Sequence, residues 1–108
     1  MEVIGDVAGK NVLMVDDISE TAGTLTSAAK LLRKQGAKRI FAGVSHAVLN
    51  EQGQQRINES EIEELVSTNS TPHAVGDKVK VVSIAGLLGE GIRRIHDGES
   101  VTSLFDIL

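Results

Sequence analysis

Two aspartates, Asp16 and Asp17, close a short apolar run, and Thr21-Ala22-Gly23-Thr24 follows soon after. Paired carboxylates can accept hydrogen bonds from vicinal hydroxyls, or share in holding a hydrated Mg²⁺ through water or substrate. The Thr-Ala-Gly-Thr segment falls where a helix is predicted to begin. A helix start offers unpaired backbone N–H groups and a partial positive charge, which together suit a phosphate. Gly23 lets the backbone come close to an anion, and the hydroxyls of Thr21 and Thr24 add donors. A phosphate at one end and a diol at the other describe a 5-phosphorylated ribose. Spacing alone leaves a second reading open, in which the aspartates cap the helix and the segment simply begins it, with no ligand. The glycine patterns of the Walker loop and of the dinucleotide fold are both absent.

The elements that must position these residues can be read from periodicity. Asn11–Val15 is predicted as a buried parallel strand whose carboxyl end meets solvent at the aspartates. Thr21–Gln35 is predicted as a helix, with Leu25, Ala28, Ala29, Leu31 and Leu32 mainly on one face. Gly36 is placed to stop it in a left-handed conformation. Arg39–Val44 is a second strand, and Asn50–Asn58 a short helix broken near Gly53. Ser60 and Glu63 have the spacing of a capping box for a further turn. Leu65–Thr68 and Lys80–Ile84 are further strands, separated by a loop over Asn69–Asp77. Ile84–His96 is a second long helix with an apolar stripe of Leu87, Leu88, Gly91, Ile92 and Ile95, ended by Asp97-Gly98. Such alternation predicts an α/β fold: one domain over residues 1–108, a parallel sheet with helices on both faces.

Composition narrows the class. The 108 residues are 41% hydrophobic and 24% charged, as expected of a globular domain with one core. Phe41 and Phe105 are the sole aromatics, so Val, Ile, Leu and Ala must fill that core. A net charge of -4 argues against nucleic-acid or acidic-membrane partners, which call for a basic face. Lys30, Arg33, Lys34, Lys38 and Arg39 read as a solvated face, and so does the acidic run of Glu59, Glu61, Glu63 and Glu64. Arg93 and Arg94 read as serving a helix end. With no cysteine, no apolar run near ~20 residues and no signal-peptide pattern in MEVIGDVAGK, a cytoplasmic location is expected. His46 is expected to be a structural, hydrogen-bonded residue. His73 and His96 suggest no metal site, and the three are too dispersed to form a ligand motif.

VLMVDDISETAGTL resembles the ribose-5-phosphate loop of the ribose-phosphate pyrophosphokinases, the phosphoribosyl pyrophosphate synthetases, which have a type I phosphoribosyltransferase fold. IGDVAGKNVLMVDD resembles the family's lead-in to that loop. AAKLLRKQGAKRIFAGVSHAVL, RINES, STNSTP and IRRIHDGESVTSLF resemble successive landmarks of its C-terminal half, in order. The resemblance implies that Asp16 and Asp17 bind ribose hydroxyls and that Thr21, Ala22, Gly23 and Thr24 hold the 5-phosphate. Glu20 stands where the family commonly has Asp, so its carboxylate reaches the ribose differently. Ser100, Val101, Thr102, Ser103, Leu104 and Phe105 match a tail that contributes, in regulated members, to an allosteric phosphate or ADP site between subunits.

The implied reaction passes the β,γ-diphosphoryl group of ATP to ribose 5-phosphate, with Mg²⁺, to make phosphoribosyl pyrophosphate for nucleotide synthesis. The family's ATP residues, its pyrophosphate loop and its basic catalytic loop are not recognisable here. The expectation is therefore a ribose 5-phosphate-binding portion, inactive alone, with ATP bound only together with the missing half. A non-catalytic module associating with full-length subunits is the alternative. The strand edge beside Asn11–Val15 is expected to be satisfied by self-association into a homo-oligomer.

Overall fold

Runs rich in valine and isoleucine favour extended backbone, because β-branched side chains are stiff and pack well on a pleated surface. Here they give β1 (Asn11–Ser19), β2 (Arg39–Ala47), β3 (Glu64–Thr68) and β4 (Val79–Val82). All three pairings are parallel, in the order β1-β2-β3-β4. The helices are α1 (Gly23–Lys34), α2 (Glu51–Glu59) and α3 (Ala85–His96), followed by a 3₁₀ turn at Thr102–Phe105. These elements come from a computed structural model that describes residues 1–72 and 76–105. His73 lies outside that range.

The core lies on one side of the sheet. Ile40, Ala42 and Val44 of β2 and Leu65 of β3 are buried there, with Val12 and Met14 of β1 packed against them. Leu25, Ala29 and Leu32 of α1, Ile57 of α2 and Ile62 complete the layer. On the other side, Leu13 stands opposite Phe41 and Val15 opposite Gly43. Leu13 is 63% exposed and Val15 78%. Parallel sheets are ordinarily covered on both faces, so α1 and α2 fulfil half of that requirement. No residue of α3 is buried. Its apolar stripe meets Val101 and, in the following turn, Leu104 and Phe105 instead. The Cα radius of gyration, 16.3 Å, exceeds the ~13 Å of a compact chain of this size for the same reason.

Several boundaries differ from those expected. β1 and β2 each run farther, to Ser19 and Ala47, because their ladder continues through Ile18↔His46 and Ser19↔Ala47. α2 is unbroken at Gly53, which is buried inside it. Ser60 ends α2 rather than starting another turn: its hydroxyl donates to the Ile57 carbonyl at 2.7 Å and accepts from the Ile62 N–H. Glu63 is no capping partner but forks onto Arg39, and Glu61 pairs with Arg33, so half of the acidic run is tied to the basic face. Exposed pairs of this kind contribute little to stability. Gly36 and Gly98 end α1 and α3 at positive φ, +93° and +71°, as expected of helix stops.

Arg93 and Arg94 do serve the end of α3. Both reach Glu90, and Arg93 also reaches Asp97 and Glu99. Hydrogen bonds from Arg93, then Arg94, hold the Glu90 carboxyl down at about 2, against an ordinary 4.5. A lowered folded-state value means that the contribution is complete above about 4.5 and is lost as pH falls through about 2. The expected outcome is a Glu90 carboxyl resonance that titrates well below pH 4 by NMR. A midpoint near the ordinary value would show that the cluster does not form.

Candidate functional site

At the carboxyl end of β1 the chain turns into α1 through Glu20, Thr21 and Ala22. The turn encloses a hollow of about 200 Å³ lined by Asp16, Ile18, Ser19, Glu20, Thr21, Ala22, Gly23, Thr24 and Leu25. That is smaller than the ~300–1,000 Å³ of sites for drug-sized ligands, and suits an anion the size of phosphate with part of a sugar. Six of the seven residues expected to bind substrate therefore meet here. Asp17 does not line the hollow. It is exposed, and its Oδ1 accepts the Ile18 N–H at 2.8 Å. Asp16 Oδ1 accepts the Asp17 N–H at 2.8 Å in the same way, leaving one oxygen of each carboxylate without a partner among the described residues. Asp16 also lines a shallow depression over the carboxyl ends of the strands, with Gly43, Ser45, Ser67 and Thr68.

The turn is strained at one point. Ala22 is 3% exposed and has φ +59° and ψ 14°, the left-handed region that non-glycine residues avoid. Such a residue costs on the order of 1–3 kcal/mol and persists when its surroundings enforce it. The residue at the N-cap of α1, Ala22, makes no side-chain capping bond. Among the described residues, the N–H groups of Glu20, Thr21 and Ala22 have no acceptor, and that of Gly23 has only the distant Thr21 hydroxyl, at 3.4 Å. N–H groups left without acceptors around a left-handed residue at a helix start are the geometry in which proteins commonly hold anions.

Three residues missed from the sequence shape this turn. The Asn50 N–H donates to the Glu20 carbonyl at 3.1 Å. Gly53 lies against the same carbonyl, so that a Cβ there would stand 2.3 Å from its oxygen. Arg56 Nη1 donates to the Thr21 carbonyl at 3.1 Å. A glycine inside a helical pattern was the available signal, since it marks close approach as readily as a break.

The remaining candidates lie elsewhere. His46 Nδ1 is 2.6 Å from the Ser70 hydroxyl, in a small network with Thr68 and the Ser45 carbonyl, which is the structural role expected of it. Ser100–Phe105 fold back on α3: Arg94 donates to the Ser100 carbonyl and the Ser103 hydroxyl, and Leu104 lies against Gly91. None of these six lines the hollow. Among the described residues, no group of three or more acidic or imidazole side chains is placed to hold a metal ion. No helix among them is long and apolar enough to cross a membrane.

The chain matches known proteins along almost its whole length. A family model described as the phosphoribosyl synthetase-associated domain matches residues 1–106. The ribose-phosphate pyrophosphokinase of Chlorobaculum tepidum is 46% identical over 108 residues, covering 98% of this chain and 33% of that protein. Ribose-phosphate pyrophosphokinase 1 of Listeria monocytogenes is 49% identical over 109 residues, with 98% and 34% covered. The crystal structure of phosphoribosylpyrophosphate synthetase from Mycobacterium smegmatis superposes with a TM-score of 0.85 at 36% identity, over 88% of this chain and 33% of that one. The chain thus spans about a third of the length of the curated relatives it matches. On this match the chain belongs to the phosphoribosyl synthetase-associated domain family and corresponds to about one third of a ribose-phosphate pyrophosphokinase.

Proposed function

We propose that this chain supplies the ribose 5-phosphate side of a ribose-phosphate diphosphokinase site. The observation that carries the reading is the ring of free N–H groups around left-handed Ala22, at the start of α1 and beside Asp16. The 5-phosphate sits in that ring, with Thr21, Gly23 and Thr24 around it. The ribose hydroxyls lie toward Asp16 and Asp17, whose uncommitted oxygens accept from them. Glu20, at the rim of the hollow, adds a third acceptor. Because Asp16 faces both the hollow and the depression over the strand ends, the sugar's C1 hydroxyl leads out over the sheet.

In the full reaction that hydroxyl attacks the β-phosphorus of ATP. A C1–O–P bond forms, the bond to AMP breaks, and the hydroxyl proton leaves. Charge on the transferred group must be neutralised by cations. Among the described residues no group of three or more ligands forms a dedicated cage, but two exposed carboxylates fit a Mg²⁺ held mainly by water and substrate oxygens. Bound there, Mg²⁺ would neutralise charge on the diphosphoryl group. In this reading ATP binds only with the remainder of a family subunit, the chain alone does not turn over, and its setting is cytoplasmic nucleotide synthesis.

Calorimetric titration with ribose 5-phosphate tests the assignment. Asp16→Asn and Gly23→Val are each expected to weaken binding about tenfold or more, since each disturbs a charge-assisted contact. Equal affinity in wild type and both variants would reject the loop. AMP release from ATP and ribose 5-phosphate at the rate of a complete enzyme would reject the division of labour.

A second reading is favoured by the open sheet face. Leu13, Val15 and the unpaired edge of β1 form a surface that another subunit could cover, whether a copy of this chain or a full-length family member. Sedimentation is expected to show self-association or co-migration with a complete synthetase. A monomer at all concentrations, ignoring the synthetase, would exclude this module role.

A further inference from the structure

We propose that the segment from Val48 to Arg56 is a clamp that preorganises the phosphate loop, with Arg56 as a positioning residue acting through the Thr21 carbonyl; the inference rests on the ribose 5-phosphate reading of that loop. Three successive carbonyls of the turn are held by this one segment. The Ser19 carbonyl accepts the Val48 N–H at 2.9 Å, and the Glu20 carbonyl accepts the Asn50 N–H at 3.1 Å. The Thr21 carbonyl accepts Arg56 Nη1 at 3.1 Å. A trans peptide is planar, with its N–H opposite its C=O. Holding the carbonyls of residues 19, 20 and 21 toward the 48–56 segment therefore turns the N–H groups of Glu20, Thr21 and Ala22 away from it. Those are the N–H groups without an acceptor among the described residues.

The clamp also accounts for the strain. Ala22 follows the carbonyl that Arg56 holds, and its left-handed conformation reverses the chain into α1. On the other side, the Ala22 carbonyl accepts from the Thr26 N–H and hydroxyl, at 3.0 and 2.7 Å. Ala22 is thus fixed from both flanks. Arg56 itself does not line the hollow. It lines a neighbouring polar cleft with Thr26, Ser27 and Lys30. Its guanidinium therefore works on the phosphate through the loop's geometry rather than as a direct ligand. Preorganisation of this kind lowers the ordering cost paid on binding. A long-range hydrogen bond from a charged donor is strong enough to supply it.

The test compares wild type, Arg56→Ala and Arg56→Lys, with two readouts. Backbone ¹⁵N relaxation without ligand reports the order of residues 21–23. Arg56→Ala is expected to loosen them while the core strands and the thermal midpoint stay near wild type, and Arg56→Lys to restore much of the order. Calorimetry with ribose 5-phosphate is expected to show about tenfold weaker binding for Arg56→Ala and partial recovery for Arg56→Lys. Unchanged order at 21–23 in Arg56→Ala overturns the clamp. Order lost uniformly across the domain also overturns it, in favour of a merely structural arginine. If wild type binds no ribose 5-phosphate, the substrate reading fails, while loosening and rescue at 21–23 would still support the clamp.

Discussion

Gly53→Ala is expected to destabilise the protein and, on the reading proposed for the loop, to weaken ribose 5-phosphate binding with it, although the same change in an ordinary helix stabilises. Inside a helix, alanine is favoured over glycine by about 1 kcal/mol. At Gly53 the new Cβ would stand 2.3 Å from the Glu20 oxygen, 3.2 Å from the Thr21 carbonyl carbon and 3.1 Å from Leu49 Cδ2. Two of those three atoms are backbone, and the oxygen already accepts the Asn50 N–H. Neither can swing aside as a side-chain end does. Either α2 retreats or the loop moves, and overpacking in such places costs ~1–3 kcal/mol, sometimes more. The clash therefore outweighs the gain in propensity. The measurements are urea unfolding and calorimetric titration. A more stable variant with undiminished affinity would show that α2 does not press on the loop.

Gly53 also shows where reading from sequence stops. That Asp16–Thr24 forms a strand-to-helix turn was legible because its signals are local: acids at a strand end, hydroxyls and a glycine at a helix start. The parallel sheet was legible because alternation of strands and helices leaves few topologies open, whereas the order β1-β2-β3-β4 came from the structure. Gly53 looked like a break in a helix, because propensity counts a glycine's cost and knows nothing of what lies beside it. Arg56 was visible only as the first residue of the RINES landmark, and its partner was not, since it meets Thr21 across 35 positions of chain. Ser60 and Glu63 had capping-box spacing, yet the long-range Arg39–Glu63 pair and the Ile57 carbonyl claimed them. The stripe on α3 was correctly apolar. Amphipathicity states that a face seeks cover, not which surface provides it, so the exposure of α3 and of Leu13 and Val15 could be learned from the structure alone.

That one-sided packing sets the second large effect. Ile40→Ala is expected to cost ~2–5 kcal/mol, the range for deleting a buried isoleucine side chain to alanine. Ile40 is 0% exposed on a central strand, and α1 and α2 hold the sheet through that face. Whole domains are stable by only ~5–15 kcal/mol, so the variant should be largely unfolded at mild urea concentrations. Ile40→Val should cost only ~0.5–1.5 kcal/mol. Val15 provides the contrast. It is a similar aliphatic residue on the neighbouring strand, but it points to the open face and is 78% exposed. Val15→Thr should change monomer stability by no more than ~0.5 kcal/mol. If the open face is an association surface, the same substitution should weaken self-association in sedimentation while leaving the dilute-solution unfolding midpoint unchanged. A cost at Val15 as large as that of Ile40→Ala, persisting at the lowest protein concentration, would mean that both faces of the sheet are covered within one chain. The surface offered for a second subunit would then not exist.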